Sequence, residues 1–243
     1  MIVATPGLVL HTTKYSESSV IAKIFTRQLG VRSYILKGVR NTRSRTKQNL
    51  LQPLSHVDLA VYDSPRATIN YVKDIHLAGA YPNIAMDSAR MALVFFMNEI
   101  LFKLLREEDP QPEVFDYVVS ELQRIDGDSL RFSTQPQLFL LRLSALLGVE
   151  PMNNYSLGES LFSLREGRFV QPPTLLDSPE ALYPLLDSEQ SLQFHYVLAS
   201  LHGGEFPAEI DHHQLLMNLI EYLGIHMPEC RDLKSVDVLH ALL

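Results

Sequence analysis

Only one cysteine, Cys230, occurs in the 243-residue chain. No internal disulfide can form, and a zinc site made of several thiolates is excluded. Apolar runs such as "MALVFFM" fall well short of the roughly 18 residues that suggest a membrane span. The first residues, "MIVATPGLVLHTTKYSE", show no basic region ahead of an apolar stretch. A secretory signal is therefore not expected, and a reducing cytoplasm is the expected location. The phosphate-cradling pattern G-x-x-x-x-G-K-[ST] and the dinucleotide pattern G-x-G-x-x-G are both missing, as are H-E-x-x-H and G-x-S-x-G. Each of these supplies a specific device, such as backbone amides around a phosphate or paired imidazoles on a metal. With no convergent set in their place, no catalytic group is proposed and enzyme activity is disfavoured. No repeat of fixed period and no low-complexity tract is evident.

Acid is missing from one long stretch. No Asp or Glu occurs from Ser18 to Val57, although the whole chain carries a net charge of −7. Residues 1–80 hold eleven Lys and Arg against four acids, net +7, whereas the remainder holds ten against twenty-four, net −14. Within "KGVRNTRSRTK", Lys37, Arg40, Arg43, Arg45 and Lys47 are five cations without an acid. Such asymmetry suggests that one part meets a polyanion while the other has a different task. Chance clustering on a solvated surface is the competing account.

The composition, 46% hydrophobic and 20% charged, is that of a folded globular chain. Its first eighty residues read as short strands: "GLVLHTTKY", "VIAKIFTR", "VRSYILKGV", "LSHVDLAVYDS" and "ATINYVKDIHL", each rich in Val, Ile, Thr or Tyr and bounded by turn residues. The Gly of "RQLGV" suits a tight hairpin. Five strands in so short a span suggest a small closed barrel or sandwich. Period-two counting puts Val20, Ala22 and Ile24 on one face of the second strand and Lys23, Phe25 and Arg27 on the other. In the third strand Val31, Ser33 and Ile35 oppose Arg32, Tyr34 and Leu36. Cations interleaved with Phe25 and Tyr34 would give unpaired bases a stacking surface and phosphates a track. Alternatively, the two rings pack beneath a neighbouring helix while the cations cover the rim.

After Tyr81-Pro82 the pattern turns helical. The expected helices cover 84–105, 112–125 and 135–148, with a short hairpin over 160–173 and further helices to the end. The reading is an α+β chain, with a β domain over 1–80 and a mostly helical domain over 81–243. His226 and Cys230 lie four apart, and Asp211, His212 and His213 lie upstream, but Pro228 breaks any helix between the first two. No metal ligand set is assigned. His195 and His202 are read as packing residues, and Glu107, Glu108 and Asp109 as a solvated linker before Pro110.

The stretches "GLVLHTTKYSESSVIAKIFTRQLG" and "LKGVRNTRSRTKQNLLQPLSHVDLAVY" resemble the bacterial recombination mediator family RecO. They match its G-[IL]-V-L start, its Y-x-E-x-[DS] step, its [IV]-x-x-x-[FY]-T-x-x-x-G hairpin, its K-G-[AV]-R run and its L-Q-P-[FL] strand. The tail "LIEYLGIHMPECRDLKSVDVLHAL" resembles the family's closing element. The resemblance implies an N-terminal OB-fold barrel followed by a helical domain. It also implies non-catalytic binding of single- and double-stranded DNA without sequence preference, annealing of complementary strands, and help in loading the RecA recombinase. Implied partners are RecR, the acidic C-terminal tail of single-strand binding protein and, in some pathways, RecF. Arg40, Arg43, Arg45 and Lys47 would then reach the sugar-phosphate backbone from a loop, while Lys23, Arg27, Arg32 and Lys37 line the adjoining barrel face. Arg124 and Arg131, beside apolar helices, are the candidates for the partner-tail pocket. Many relatives carry two cysteine pairs that hold zinc after a G-[VI]-x-P turn. Here "GVEPMNNYSLGESLFSLREGRFVQPP" keeps the turn without a cysteine, implying a zinc-free variant with no cofactor.

Overall fold

The computed structural model describes residues 1–39, 50–64, 67–107, 109–127, 132–173, 184–203 and 209–242. Strands β1 (Ile2–Lys14), β2 (Val20–Thr26), β3 (Gly30–Leu36), β4 (His56–Tyr62) and β5 (Asn70–Leu77) close into a barrel in the order β1-β2-β3-β5-β4. Every neighbouring pair is antiparallel except β3 and β5, which run parallel. This is the OB-fold arrangement, and closure removes the exposed edges that so short a sheet would otherwise leave. β1 serves both β2 and β4 because an irregularity between Val9 and His11 bends it. Alternate residues of β2 and β4, including Val20, Ala22, Ile24, Val57, Leu59 and Val61, fill the interior.

The apolar pattern over 84–105 is divided between α1 (Pro82–Met86) and α2 (Ser88–Leu104). Asp87 leaves the helical region, and its carboxylate accepts from the backbone N–H groups of Ala89 and Arg90. A carboxylate in that position caps the next helix more favourably than it continues the last. α2 is buried on most of its circumference. α3 (Pro112–Asp126) is amphipathic and buries Val114, Phe115, Val118, Leu122 and Ile125. Arg90 joins the two, donating to the Ile125 and Gly127 carbonyls. The last helix, α7 (Ser235–Leu242), packs on α2, where the backbone N–H and hydroxyl of Ser235 donate to the Glu99 carboxylate at 2.8 and 2.6 Å. Strands give way to helices between Leu77 and Pro82, but the compact units are drawn otherwise. One comprises residues 1–130 with 235–242, the other residues 131–234.

The second unit holds α4 (Gln135–Leu146), the hairpin β6 (Leu161–Ser163) and β7 (Arg168–Val170), α5 (Ser188–Ser200) and α6 (His212–His226). Phe162 and Phe169, paired across the hairpin, meet edge-on at 5.0 Å and belong to an aromatic group with Phe194, Tyr155 and His195. Asn154 fixes the hairpin from outside. Its amide accepts from the Phe169 N–H at 2.8 Å, and donates to the Phe169 carbonyl and the Glu159 carboxylate, both at 2.9 Å. Asn154→Leu keeps the approximate shape but leaves both backbone groups of Phe169 without this partner. The expected loss is about 1–3 kcal/mol of stability, read by urea unfolding. No loss would show that the aromatic packing alone holds the hairpin.

Candidate nucleic-acid interface

The outward face of β2 is covered. Phe25 is fully buried, its ring edge-on to Phe115 of α3 with centroids 5.5 Å apart. The Lys23 ammonium lies 2.8 Å from the Glu107 carboxylate and 5.3 Å from the centre of the Phe102 ring. Glu107 is therefore held against the barrel, bridging to Val31, instead of standing free in a linker. Arg27 grips both oxygens of Asp116 at 2.8 Å. That hydrogen-bonded pairing holds the Asp116 carboxyl below its ordinary value and raises the Arg27 guanidinium. The pair is solvent-exposed, so it contributes little to stability and can be exchanged for a phosphate contact.

β3 faces the opposite way from the sequence expectation. Tyr34 is paired with Ala22 and Leu36 with Val20, and all four share the barrel interior. Directly opposed residues project to the same side of a sheet, and alanine leaves space for the phenol. Val31 and Ile35 on the other face are buried as well. An alternating pattern cannot be read from a strand buried on both faces. Tyr34 is thus not a stacking surface; burial pushes its hydroxyl up to about 12. Phe25 is not one either, because α3 covers it. Arg32 is paired with Asp63, and with side-chain exposures of 14% and 12% the two are withdrawn from solvent. Breaking that pair would leave a charge poorly hydrated, so Arg32 is committed to the barrel.

Lys37 remains exposed, its ammonium 5.1 Å from the centre of the Tyr71 ring. Tyr71 is the cross-strand partner of Tyr62, and the two are 49% and 48% exposed. The sequence reading passed over both tyrosines. The signal was present in β4, where Val57, Leu59 and Val61 point inward and so turn Tyr62 outward. Arg40, Arg43, Arg45 and Lys47 lie outside the described residues, as does Arg131. Arg124 sits on α3 with its guanidinium against Glu121, whose side chain is only 3% exposed. That contact sets a positive charge beside the buried carboxylate.

Among the described residues no group of three or more His, Cys, Asp or Glu side chains is placed to hold a metal ion. His226 contacts the Leu164 carbonyl through Nε2 at 2.9 Å, and Cys230 is buried. His195 stacks on Tyr155 at 4.5 Å and contacts the Asn153 side-chain oxygen through Nδ1 at 2.8 Å. The segment after the Gly148–Pro151 turn, tied to Phe169 by the Asn154 amide, contains no thiolate, so its residues do not fit a zinc ion held by cysteine pairs.

Two family models match the chain: Recombination protein O N terminal over residues 1–81, and Recombination protein O C terminal over residues 86–156. The DNA repair protein RecO of Bacteroides fragilis is 27% identical over 247 residues, an alignment covering all of this chain and 99% of that protein. That of Phocaeicola vulgatus is 27% identical over 242 residues, with the same coverage of both chains. That of Christiangramia forsetii is 26% identical over 250 residues.

Proposed function

The chain belongs to the recombination protein O family, and from that premise we propose that it is a non-catalytic DNA-binding mediator of recombinational repair. It binds single- and double-stranded DNA without reading sequence, anneals complementary strands, and helps load the RecA recombinase onto DNA coated with single-strand binding protein. Its partners are RecR, the tail of that binding protein and, in some pathways, RecF, and its place is the cytoplasm. The observation that carries this reading is a closed OB-type barrel whose β3–β4 connection lies in a stretch without a single acid, in a chain that is otherwise acidic.

Annealing needs no covalent step. A cationic surface that holds two strands lowers their mutual repulsion, and base pairing selects the complement. Lys37, Arg40, Arg43, Arg45 and Lys47 provide about five phosphate contacts, which gives a log–log salt slope of roughly −3 to −4 on single strands. Lys23 and Arg27 add to it only by exchanging Glu107 and Asp116 for phosphate.

The combined substitution Arg40→Glu, Arg43→Glu and Arg45→Glu is expected to abolish the polarisation shift of a fluorescent oligonucleotide while leaving thermal unfolding unchanged. Undiminished binding would overturn the assignment of this segment. The ion pairs already made by Lys23 and Arg27 favour a second reading, in which the basic segment docks an acidic protein and DNA is not bound. Salt-sensitive capture of an acidic protein, without any DNA shift at low salt, would select that alternative.

A further inference from the structure

The outer face of β2, the strand on which an OB barrel commonly lays an oligonucleotide, is occupied by Phe102, Glu107, Phe115 and Asp116 of the protein's own chain. A strand of DNA cannot follow it without displacing Phe115 from a fully buried ring. Open aromatic surface lies at the other side of the barrel, on β4 and β5. Tyr62 and Tyr71 face each other across the antiparallel ladder, each about half exposed, and Lys37 stands over the Tyr71 ring.

We propose that Tyr62 and Tyr71, with Lys37, form a base-stacking platform that distinguishes unpaired from paired DNA. The inference rests on the DNA-binding reading above and deepens it. Directly opposed residues hold their Cβ atoms about 5 Å apart, so the two half-exposed tyrosines rise from neighbouring points on one face of the ladder. An unpaired base has a free π-face to lay on these rings, whereas a base inside a duplex is already stacked on both sides. The Lys37 ammonium lies over the Tyr71 ring at 5.1 Å, on the face a base would take, so a stacking base displaces it toward the phosphate of the same nucleotide. Lys73, exposed two positions beyond Tyr71 on β5, adds a second cation. Asp63, next after Tyr62, is neutralised by Arg32, and on the two strands acid begins farther along, with Ala60 opposite Asp74 and Asp58 opposite His76. Two residues along a strand amount to about 7 Å, so repulsion confines the nucleic acid to the tyrosine end.

The test compares three probes of equal length: a base-bearing single strand, an abasic single strand with the same phosphates, and a duplex. The native protein is expected to bind the base-bearing strand about tenfold more tightly than the abasic one. Tyr71→Ala is expected to erase that preference and leave duplex affinity unchanged, while Tyr71→Phe, which keeps the ring, retains it. Tyr62→Ala acts in the same direction. Equal affinity of the native protein for base-bearing and abasic strands, or an equal loss on single strand and duplex in Tyr71→Ala, would overturn the platform and leave the DNA-binding reading intact. Failure of the native protein to bind any of the three probes would instead defeat the reading on which the platform rests.

Discussion

Phe25→Ala is expected to lower the free energy of unfolding by about 3–5 kcal/mol, the range for emptying a large aromatic site in a well-packed core. Phe25 has no exposed surface, and its ring closes on Phe115 at the seam between β2 and α3. Truncation removes the contacts on both sides of that seam, and neither a strand in a closed barrel nor a helix packed against it collapses easily into the space. For a chain of this size the loss corresponds to roughly 6–20 °C in melting temperature. Binding of single-stranded DNA by the molecules that stay folded is expected to be unchanged at a temperature below the transition. Urea unfolding and a polarisation titration on the same preparation check both parts. A large loss of affinity with little loss of stability would return Phe25 to the role of a stacking ring.

Alternation identifies a strand and divides its residues into two sets, but it says which set faces the core only when one set is polar. β4 satisfies that condition: Val57, Leu59 and Val61 alternate with His56, Asp58, Ala60 and Tyr62, and its inward set is legible from the residues. β2 half satisfies it. Val20, Ala22 and Ile24 were correctly placed inside, but the outward Phe25 could belong to a covered face or an open one. β3 does not satisfy it, since Val31, Tyr34, Ile35 and Leu36 are all buried, and the assignment of Tyr34 inverted. What decided the matter was register, the placing of Ala22 opposite Tyr34, and register is set by hairpin geometry that no single strand records. The closed barrel itself was legible as one of two options because five short strands with turn residues need some device to hide their edges. The ion pairs were not legible. Lys23 meets Glu107 and Arg27 meets Asp116 across more than eighty residues of sequence, so a basic strand and an acidic linker looked like separate solvated features. The α1–α2 break was legible in principle, because Asp87 followed by a helical run is an N-cap signature. It was hidden by the apolar residues on both sides.

Gly30→Ala is expected to be more damaging than its size suggests, costing about 3 kcal/mol or more. Gly30 opens β3 at φ +66°, a conformation that costs an L-residue about 1–2 kcal/mol. A Cβ there would also stand 2.6 Å from the Asp109 carbonyl oxygen and 2.7 Å from the Asp109 carbonyl carbon and backbone nitrogen. Backbone cannot rotate away as a side chain could, so either the β2–β3 hairpin or the segment around Asp109 must shift. Gly38→Ala is the control. Its φ of +71° is equally unfavourable to alanine, yet among the described residues nothing lies within 4 Å of the added carbon. It is expected to lose only the conformational part, about 1–2 kcal/mol. The difference between the two variants, measured by urea unfolding in one buffer, isolates the packing of the hairpin on the connection between α2 and α3. Equal losses would mean that this connection yields freely, and that the contact from Lys23 to Glu107 beside it constrains nothing. A larger loss in Gly30→Ala would establish that the helices are fitted to the barrel at this turn.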